Sequence, residues 1–324
     1  MGQDITGGFL PTTEEFSPNI KIFGVGGGGG NVVSRMKEEG VTQVELIACN
    51  TDIKALQRAN VDTKIELGRD LTRGRGAGGV PEKGENAAEE TLAEIEEQLV
   101  GTHMVFVAAG MGGGTGTGAA PVIAHLAKKQ NILTVGVVTL PFYFEGKRRM
   151  RIALEGIKHL KEHTDTLLVI PNDKLYDASN PNTKLMEAFS LVDSVLVDAI
   201  QGITDLLSDS GTINVDFADM RTIMVGMGKA VIGKGMAVGK DCMNKAVHAA
   251  IHSPLMQDSD IRGAKGILIH VLGPEDTSAM EIAEAMEMVE DMADEEVNLI
   301  WGATFSREIE NEISITIIAT GLPD

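Results

Sequence analysis

The sequence predicts an α/β fold: a parallel-sheet, Rossmann-like domain, one long central helix, and a second, smaller α+β domain. Three observations predict it. Unbroken apolar runs alternate with helical patterns through the first half of the chain, and strands apolar on both sides belong to parallel sheets covered on both faces. Between 184 and 207, apolar residues recur at three- and four-residue steps for longer than an ordinary surface helix. After Gly211 a second set of strand and helix patterns begins.

Taken in order, 1–19 reads as a polar, Gly- and Pro-containing extension, and 21–25 as the first buried strand. A glycine run follows, then a helix to Met36; 44–48 is strand-like and 87–99 is a helix with charged outer positions. The apolar strand 104–108 leads into a second glycine run and a helix over 119–129, with further buried strands at 132–139 and 166–170. Leu185, Ala188, Phe189, Val192, Leu196, Ala199, Ile200, Ile203 and Leu207 form the stripe of the long helix. Strands near 222–227, 266–272, 299–305 and 313–319, and helices near 245–252 and 278–291, complete the second unit. The expected division is therefore 1–20 extension, 21–183 first domain, 184–208 central helix and 209–324 second domain.

Composition narrows the function. A chain of 324 residues can bury one large core or two modest ones. The net charge of −19 excludes a nucleic-acid surface, which needs clustered Lys and Arg. An anionic ligand must then be held locally, by backbone N–H groups or a metal ion. Cys49 and Cys242 are isolated and form no disulfide framework, which fits a reducing, cytoplasmic setting. The start has no basic region followed by an apolar run, and no stretch has the length of a membrane span, so direct insertion into a membrane is not expected.

The glycine runs carry the chemistry. The first is Gly24-Val25-Gly26-Gly27-Gly28-Gly29-Gly30-Asn31; the second is Gly110-Met111-Gly112-Gly113-Gly114-Thr115-Gly116-Thr117-Gly118. Each lies between a strand and a helix, where a backbone without side chains approaches phosphate closely and a helix N-terminus supplies free donors. Gly24, Gly26 and Gly29 match GxGxxG, with Asp52 as a candidate ribose acid, so the first run alone suggests a dinucleotide. The second run argues against that, because a nicotinamide site needs no second phosphate cradle. Neither run ends in the GK[ST] of a P-loop, so N–H donors and Mg²⁺ must neutralise the phosphates. Elsewhere, His248 and His252 are four apart but lack a third metal ligand, and no protein metal site is expected. Met280, Met286, Met288 and Met292 read as helix packing, and the acidic run 287–296 as a solvated face.

GGGTGTG resembles the signature of the tubulin/FtsZ family, and from about 21 to 322 the chain is similar to the FtsZ branch. GVGGGGGN, NTD at 50–52, TRGRGAGG at 72–79, TLPFYFEGKRRM at 139–150, IPND at 170–173, QGITDLL at 201–207, INVDFADM at 213–220 and ATGL at 319–322 occur in the family's order and spacing. The resemblance implies a tubulin/FtsZ-like fold with a GTP-binding domain at 21–183. It implies a division-ring type GTPase that binds GTP or GDP with Mg²⁺, polymerises with itself head to tail, and hydrolyses GTP at the subunit junction. Mid-cell placement and membrane-tethering division partners are implied with it. The alternative within the superfamily is a divergent GTPase serving cell shape or plasmid partition.

Residue by residue, the resemblance implies that Gly27, Gly28, Gly29 and Gly30, with Gly114, Thr115 and Gly116, cradle the phosphates. Thr117 would add a hydroxyl. Ala77, Gly78 and Gly79 would sense the terminal phosphate; Thr139 and Glu145 would meet the ribose, and Arg149 the sugar and phosphates. Asn31, Asn172, Phe189 and Asp193 would hold guanine. Phe189 taken alone reads as core packing. Asn214, Asp216 and Asp219 would enter the neighbouring subunit's site, with the two acids positioning the attacking water; by residue type alone Asp216 and Asp219 read as helix caps. Three stretches depart from the family wording: Ser210-Gly211-Thr212 beside the acids, Arg75 and Val80 around the phosphate-sensing loop, and Lys234, Met236, Lys240 and Asp241 further on. Family members continue into a linker and a tail that docks on membrane anchors. The sequence ends at Asp324, so either that tail has been removed or tethering uses another surface.

Overall fold

Ten strands form one continuous sheet in the order β3-β2-β1-β4-β5-β6-β7-β10-β8-β9 in the computed structural model, which describes residues 17–177, 184–208, 211–256, 261–294 and 296–323. The strands are β1 (Ile20–Val25), β2 (Glu45–Asn50), β3 (Thr63–Glu66), β4 (Met104–Gly110), β5 (Leu133–Leu140), β6 (Thr166–Pro171), β7 (Gly228–Val238), β8 (Gly266–Gly273), β9 (Asn298–Phe305) and β10 (Glu312–Leu322). From β3 to β7 every pairing is parallel; β10 runs antiparallel to both β7 and β8, and β9 is parallel to β8. The two units thus share a sheet, joined where Thr166, Leu167 and Leu168 of β6 meet Gly228, Lys229 and Ala230 of β7. Most of the expected extension, 1–16, lies outside the described residues, as do the expected boundary positions 183 and 209, with Ser210 and Asp324.

Burial explains the parallel half. Every residue of β1 is buried, and the apolar side chains alternate between two helix-covered cores. Ile22, Phe106 and Val135 face the side closed by the central helix (Leu185–Thr204), while Phe23, Val105 and Val107 face the other. A third core, with Val247, Ile269 and Ile317, lies under the helices of the second unit. The expected stripe holds from Ala188 onward: Ala188, Val192, Leu196, Ala199, Ile200 and Ile203 are buried, and a short 3-10 turn, Asp205–Leu207, continues it, whereas Leu185 in the first turn is exposed. Phe189 is not part of that core.

Four expectations about elements need correction. The first glycine run is not a loop before a helix; the helix Gly26–Glu38 begins within it. Glycine costs about 1 kcal/mol per helical position relative to alanine, and tertiary packing overrides that here. A Cβ on Gly29 would lie 2.2 Å from the Ala108 carbonyl oxygen, so only glycine lets this helix lie on the strands. Likewise the helix expected from 119 starts at Thr115, inside the second run. The span 87–99 is two helices, Pro81–Glu90 and Leu92–Leu99, broken at Thr91, whose hydroxyl bonds back to the Ala87 carbonyl. Finally, 222–227 is not a strand. Asp216 caps the helix Phe217–Met224, whose buried face is Met220, Ile223 and Met224, and the strand follows from Gly228. The β-branched composition misleads there because the apolar spacing of three and four wins.

Other expectations resolve simply. The His248 and His252 rings stack at 4.0 Å, with His252 Nδ1 2.8 Å from the His248 carbonyl oxygen. Met286 is buried and Met288 and Met292 pack against the core, but Met280 is largely exposed.

One buried group has a stability consequence. His270 on β8 lies 3.1 Å from the Thr304 hydroxyl on β9, and burial, with Lys234 adding to it, pushes its imidazole down from 6.5 to about 4. The unfolded chain therefore binds a proton that the native chain refuses. The associated stability is complete above pH 6.5 and is lost as pH falls toward 4. His270→Gln, which keeps a hydrogen-bonding side chain, is expected to remove a loss of about 2 kcal/mol between pH 7.5 and 5. Urea denaturation of both proteins at the two pH values measures it; parallel losses would contradict the assignment.

Candidate nucleotide site

Parallel strands end together, and here their carboxyl ends bring six loops to one edge. Val25 pairs with Ala109 and Cys49, Gly110 with Thr139, and Leu140 with Pro171. The segments after β1, β2, β4, β5 and β6, with the loop at 72–80, therefore converge where open α/β sheets bind ligands.

The two helices that begin in the glycine runs point their N-termini into this edge. The first three or four N–H groups of each have no intrahelical acceptor and carry the positive end of the helix dipole. Not all the glycines serve the same purpose. Gly28 abuts the backbone of Gly110, Gly114 abuts Ala77, and Gly116 abuts the Gly110 carbonyl, so these, with Gly29, let chain pack on chain. Gly27, Gly30, Gly78 and Gly79 have nothing within 4 Å of a built Cβ and border open space. Gly113, which sequence reasoning did not select, is equally open. Ala77 itself is buried and accepts the Val80 N–H at 3.3 Å, closing the turn that carries Gly78 and Gly79.

The threonines divide the same way. Thr115 and Thr51 share a 2.6 Å hydroxyl hydrogen bond that ties the second glycine helix to the segment after β2. Thr51 was passed over, although its place in NTD directly after a strand was the signal for it. Thr117 is buried and its hydroxyl accepts the Gly112 N–H at 2.8 Å, which braces the loop. Asp52 accepts from Lys54 N and Ala55 N as the cap of the helix Ile53–Arg58.

Opposite the glycine helix runs the first half of the central helix. Arg35 donates to the Ser190 carbonyl at 2.9 Å, and the Asn31 amide lies 3.5 Å from an Asp193 oxygen. Burial raises the Asp193 carboxyl to about 6, with Asn31 and Arg35 opposing it. Phe189 is 37% exposed and meets Phe142 edge-on at 5.2 Å, so a fully buried ring supports it and the core reading fails. Asn172 is buried, yet its side-chain oxygen has no hydrogen-bond partner. A buried acceptor left unpaired costs roughly 1–3 kcal/mol, which marks Asn172 as waiting for a donor. Thr139 is buried at the end of β5, and its carbonyl accepts the Met111 N–H. Glu145 bonds the Phe142 N–H and pairs with Arg149 at 2.8 Å, so these two side chains hold each other at the rim.

Asn214, Asp216 and Asp219 are not brought into this group. All three are exposed, on the loop and first turn that precede β7. Asp216 caps its helix through Ala218 N at 3.1 Å, as residue type alone suggested, and Phe217 lies edge-on to His103. His103 precedes β4, and Gly228 pairs with Thr166 at the start of β6, so the acids sit at the amino edge of the sheet. The length of β4, about 20 Å at strand rise, separates them from the glycine runs.

The model of the GTPase domain of the Tubulin/FtsZ family matches 19–180, and that of the FtsZ family C-terminal domain matches 228–323. A solved FtsZ dimer from M. jannaschii, empty of ligand, superposes with a TM-score of 0.91 at 46% identity, covering 95% of this chain and 89% of that one. The chain belongs to the FtsZ family. Cell division protein FtsZ of Caulobacter vibrioides is 49% identical over 312 residues, which are 96% of this chain and 61% of the relative. The chain thus spans about three-fifths of the length of that FtsZ. CetZ2 from Haloferax volcanii shares the fold at a TM-score of 0.78 and 23% identity, with 94% and 93% of the two chains covered.

Proposed function

We propose that this FtsZ-family chain binds GTP, assembles head to tail with copies of itself, and hydrolyses GTP where two copies meet. The observation that carries the reading is the separation of parts: a phosphate cradle at one edge of the sheet and two exposed acids at the other. A single molecule cannot close that gap, whereas repeated head-to-tail contact brings each cradle to the next molecule's acids.

The roles follow from chemistry. Gly27 to Gly30 and Gly114, Thr115 and Gly116 form the phosphate cradle, the free N–H groups at the starts of the two helices take the phosphate oxygens, and Gly78 and Gly79 close over the terminal one. Thr139, Glu145 and Arg149 border the sugar. Guanine presents an N1–H and an amino group side by side; Asp193 accepts both, Asn31 and Asn172 add partners, and Phe189 covers the ring. Adenine lacks that donor pair and would leave the carboxylate unpaired. Asp216 and Asp219, with Asn214 beside them, orient the attacking water, which is the main demand of phosphoryl transfer. Mg²⁺ fits as a companion of the phosphates, neutralising charge that glycine amides and threonine hydroxyls only partly offset; among the described residues no cluster of His, Cys, Asp and Glu suits a metal.

In the cell the same reading makes the chain a cytoplasmic division-ring protein at mid-cell, tethered by membrane-anchoring partners. The identity of 49% to a protein named for cell division supports this over a shape or partition role. Among the described residues no helix is long and apolar enough to cross a membrane. We also propose 21–183, 184–208 and 209–324 as the working division of the chain.

The test is the concentration dependence of turnover. GTP hydrolysis per subunit should rise steeply across the assembly threshold seen by sedimentation with GTP but not GDP. A rate per subunit that stays flat from dilute to concentrated protein would falsify the shared-site reading.

A further inference from the structure

The segment that carries the acids is fastened to β9, the terminal strand of the sheet. An edge strand presents free N–H and C=O groups along its outer side, and the acid loop takes up those of Ala303. Thr212 N and Ile213 N both donate to the Ala303 carbonyl at 2.9 Å, and Ala303 N donates to the Ile213 carbonyl at 3.0 Å. Two residues further along the same edge, Phe305 N donates to the Thr212 hydroxyl at 3.1 Å. The loop lies flat on the strand because Gly302 leaves no room between them: a Cβ there would sit 2.7 Å from the Ile213 carbonyl oxygen.

The backbone bonds alone do not define the register. Any residue offers the same N–H and C=O, so a slipped loop would make equivalent pairs with its neighbours. The hydroxyl differs, because only position 212 presents an acceptor to Phe305. From that point Ile213, Asn214 and Val215 lead to Asp216, and Val215 N is itself held by the Leu206 carbonyl at 2.9 Å. Asp216 then caps the helix whose first turn carries Asp219. We infer that Thr212 is a positioning residue, its hydroxyl pinning the acid loop to β9 so that Asp216 and Asp219 project at a fixed reach. The inference rests on the hydrolytic role proposed above for those two acids.

The test compares Thr212→Val, which keeps the shape and removes the acceptor, with Thr212→Ser, which keeps the acceptor. Both are assayed at saturating GTP, well above the assembly threshold, beside wild type and Asp219→Ala. Thr212→Val should lower kcat by about three- to tenfold, the fold-change one hydrogen bond is worth, with unchanged KM for GTP and unchanged assembly threshold. Thr212→Ser should retain wild-type turnover. Amide exchange at Phe305 should quicken in the Val variant alone. Wild-type kcat in Thr212→Val, or an equal deficit in Thr212→Ser, overturns the inference. Should wild type and Asp219→Ala hydrolyse GTP alike, the role of the acids fails instead; the pin is then judged by Phe305 exchange, and exchange unchanged in Thr212→Val overturns it.

Discussion

A mixture of Asp193→Ala and Asp219→Ala proteins, at GTP too dilute to saturate the first, is expected to hydrolyse GTP faster than the two proteins do separately. Each change disables one edge of the sheet and spares the other. Asp193→Ala removes the carboxylate that faces Asn31 and leaves Asp216 and Asp219 untouched. Its loss should cost nucleotide affinity about a hundredfold, the scale of leaving charge-assisted donors unpaired. Asp219→Ala keeps the whole cradle and should lower turnover by roughly a hundredfold or more, as removal of a group acting at the reacting centre does. In an equimolar mixture the nucleotide held by an Asp219→Ala subunit can meet the intact acids of an Asp193→Ala neighbour. Random head-to-tail assembly produces that pairing at up to about a quarter of junctions. Phosphate release above the sum of the two separate rates is the expected result. A mixture that shows only that sum places both halves of the chemistry in one subunit, against the geometry.

Nucleotide affinity should also titrate with Asp193. Burial holds this carboxyl at about 6 without ligand, and only its ionised form accepts both guanine donors. Binding then favours deprotonation and lowers the carboxyl's pKa in the complex. Affinity is therefore complete above about pH 6 and falls as pH drops below it. Between pH 7.5 and 5 the loss for GDP should be about tenfold. Asp193→Asn should bind GDP weakly, with no such slope, and should discriminate poorly against ADP. Calorimetric titration with GDP and ADP at both pH values measures all three. Equal slopes in wild type and Asp193→Asn would assign the pH dependence to another group.

Much of the cradle was legible in the sequence because its signals are local. A strand, a glycine run and a helix in succession state where a backbone is bare and where N–H donors are free. The spacing of Ala188, Val192, Leu196 and Ala199 likewise stated a helix buried along one side. The strand expected at 222–227 failed for a comparable local reason: Asp216 and the Met220, Ile223, Met224 face are a helix signal that the run of apolar residues concealed. The glycine runs read as segments between a strand and a helix, and only the packing of Gly29 on Ala108 makes a helix within the first of them the better arrangement, against glycine's low helix propensity.

The residues with two readings were settled differently. Phe189 on a helical stripe is indistinguishable from core until its exposure and its contact with Phe142 are seen. Thr117 and Thr115 are equivalent in sequence, yet one hydroxyl is taken by Gly112 N and the other by Thr51. Asp216 is in fact a helix cap, so residue type was right as far as it went. Capping and reaching a neighbouring molecule are compatible, because a cap uses one carboxylate oxygen and leaves the other.

By itself the sequence determined the classes of element, two bare glycine segments each between a strand and a helix, and a resemblance strong enough to name a family. It did so because periodicity, glycine content and motif order are properties of neighbours along the chain. Only the tertiary structure decided that β6 and β7 join both units into one sheet, that Asn172 is buried with an unpaired acceptor, that Thr212 reaches Phe305, and that cradle and acids occupy opposite edges. Those depend on strand order, register and direction, which couple residues far apart in sequence and leave no mark on their immediate neighbours.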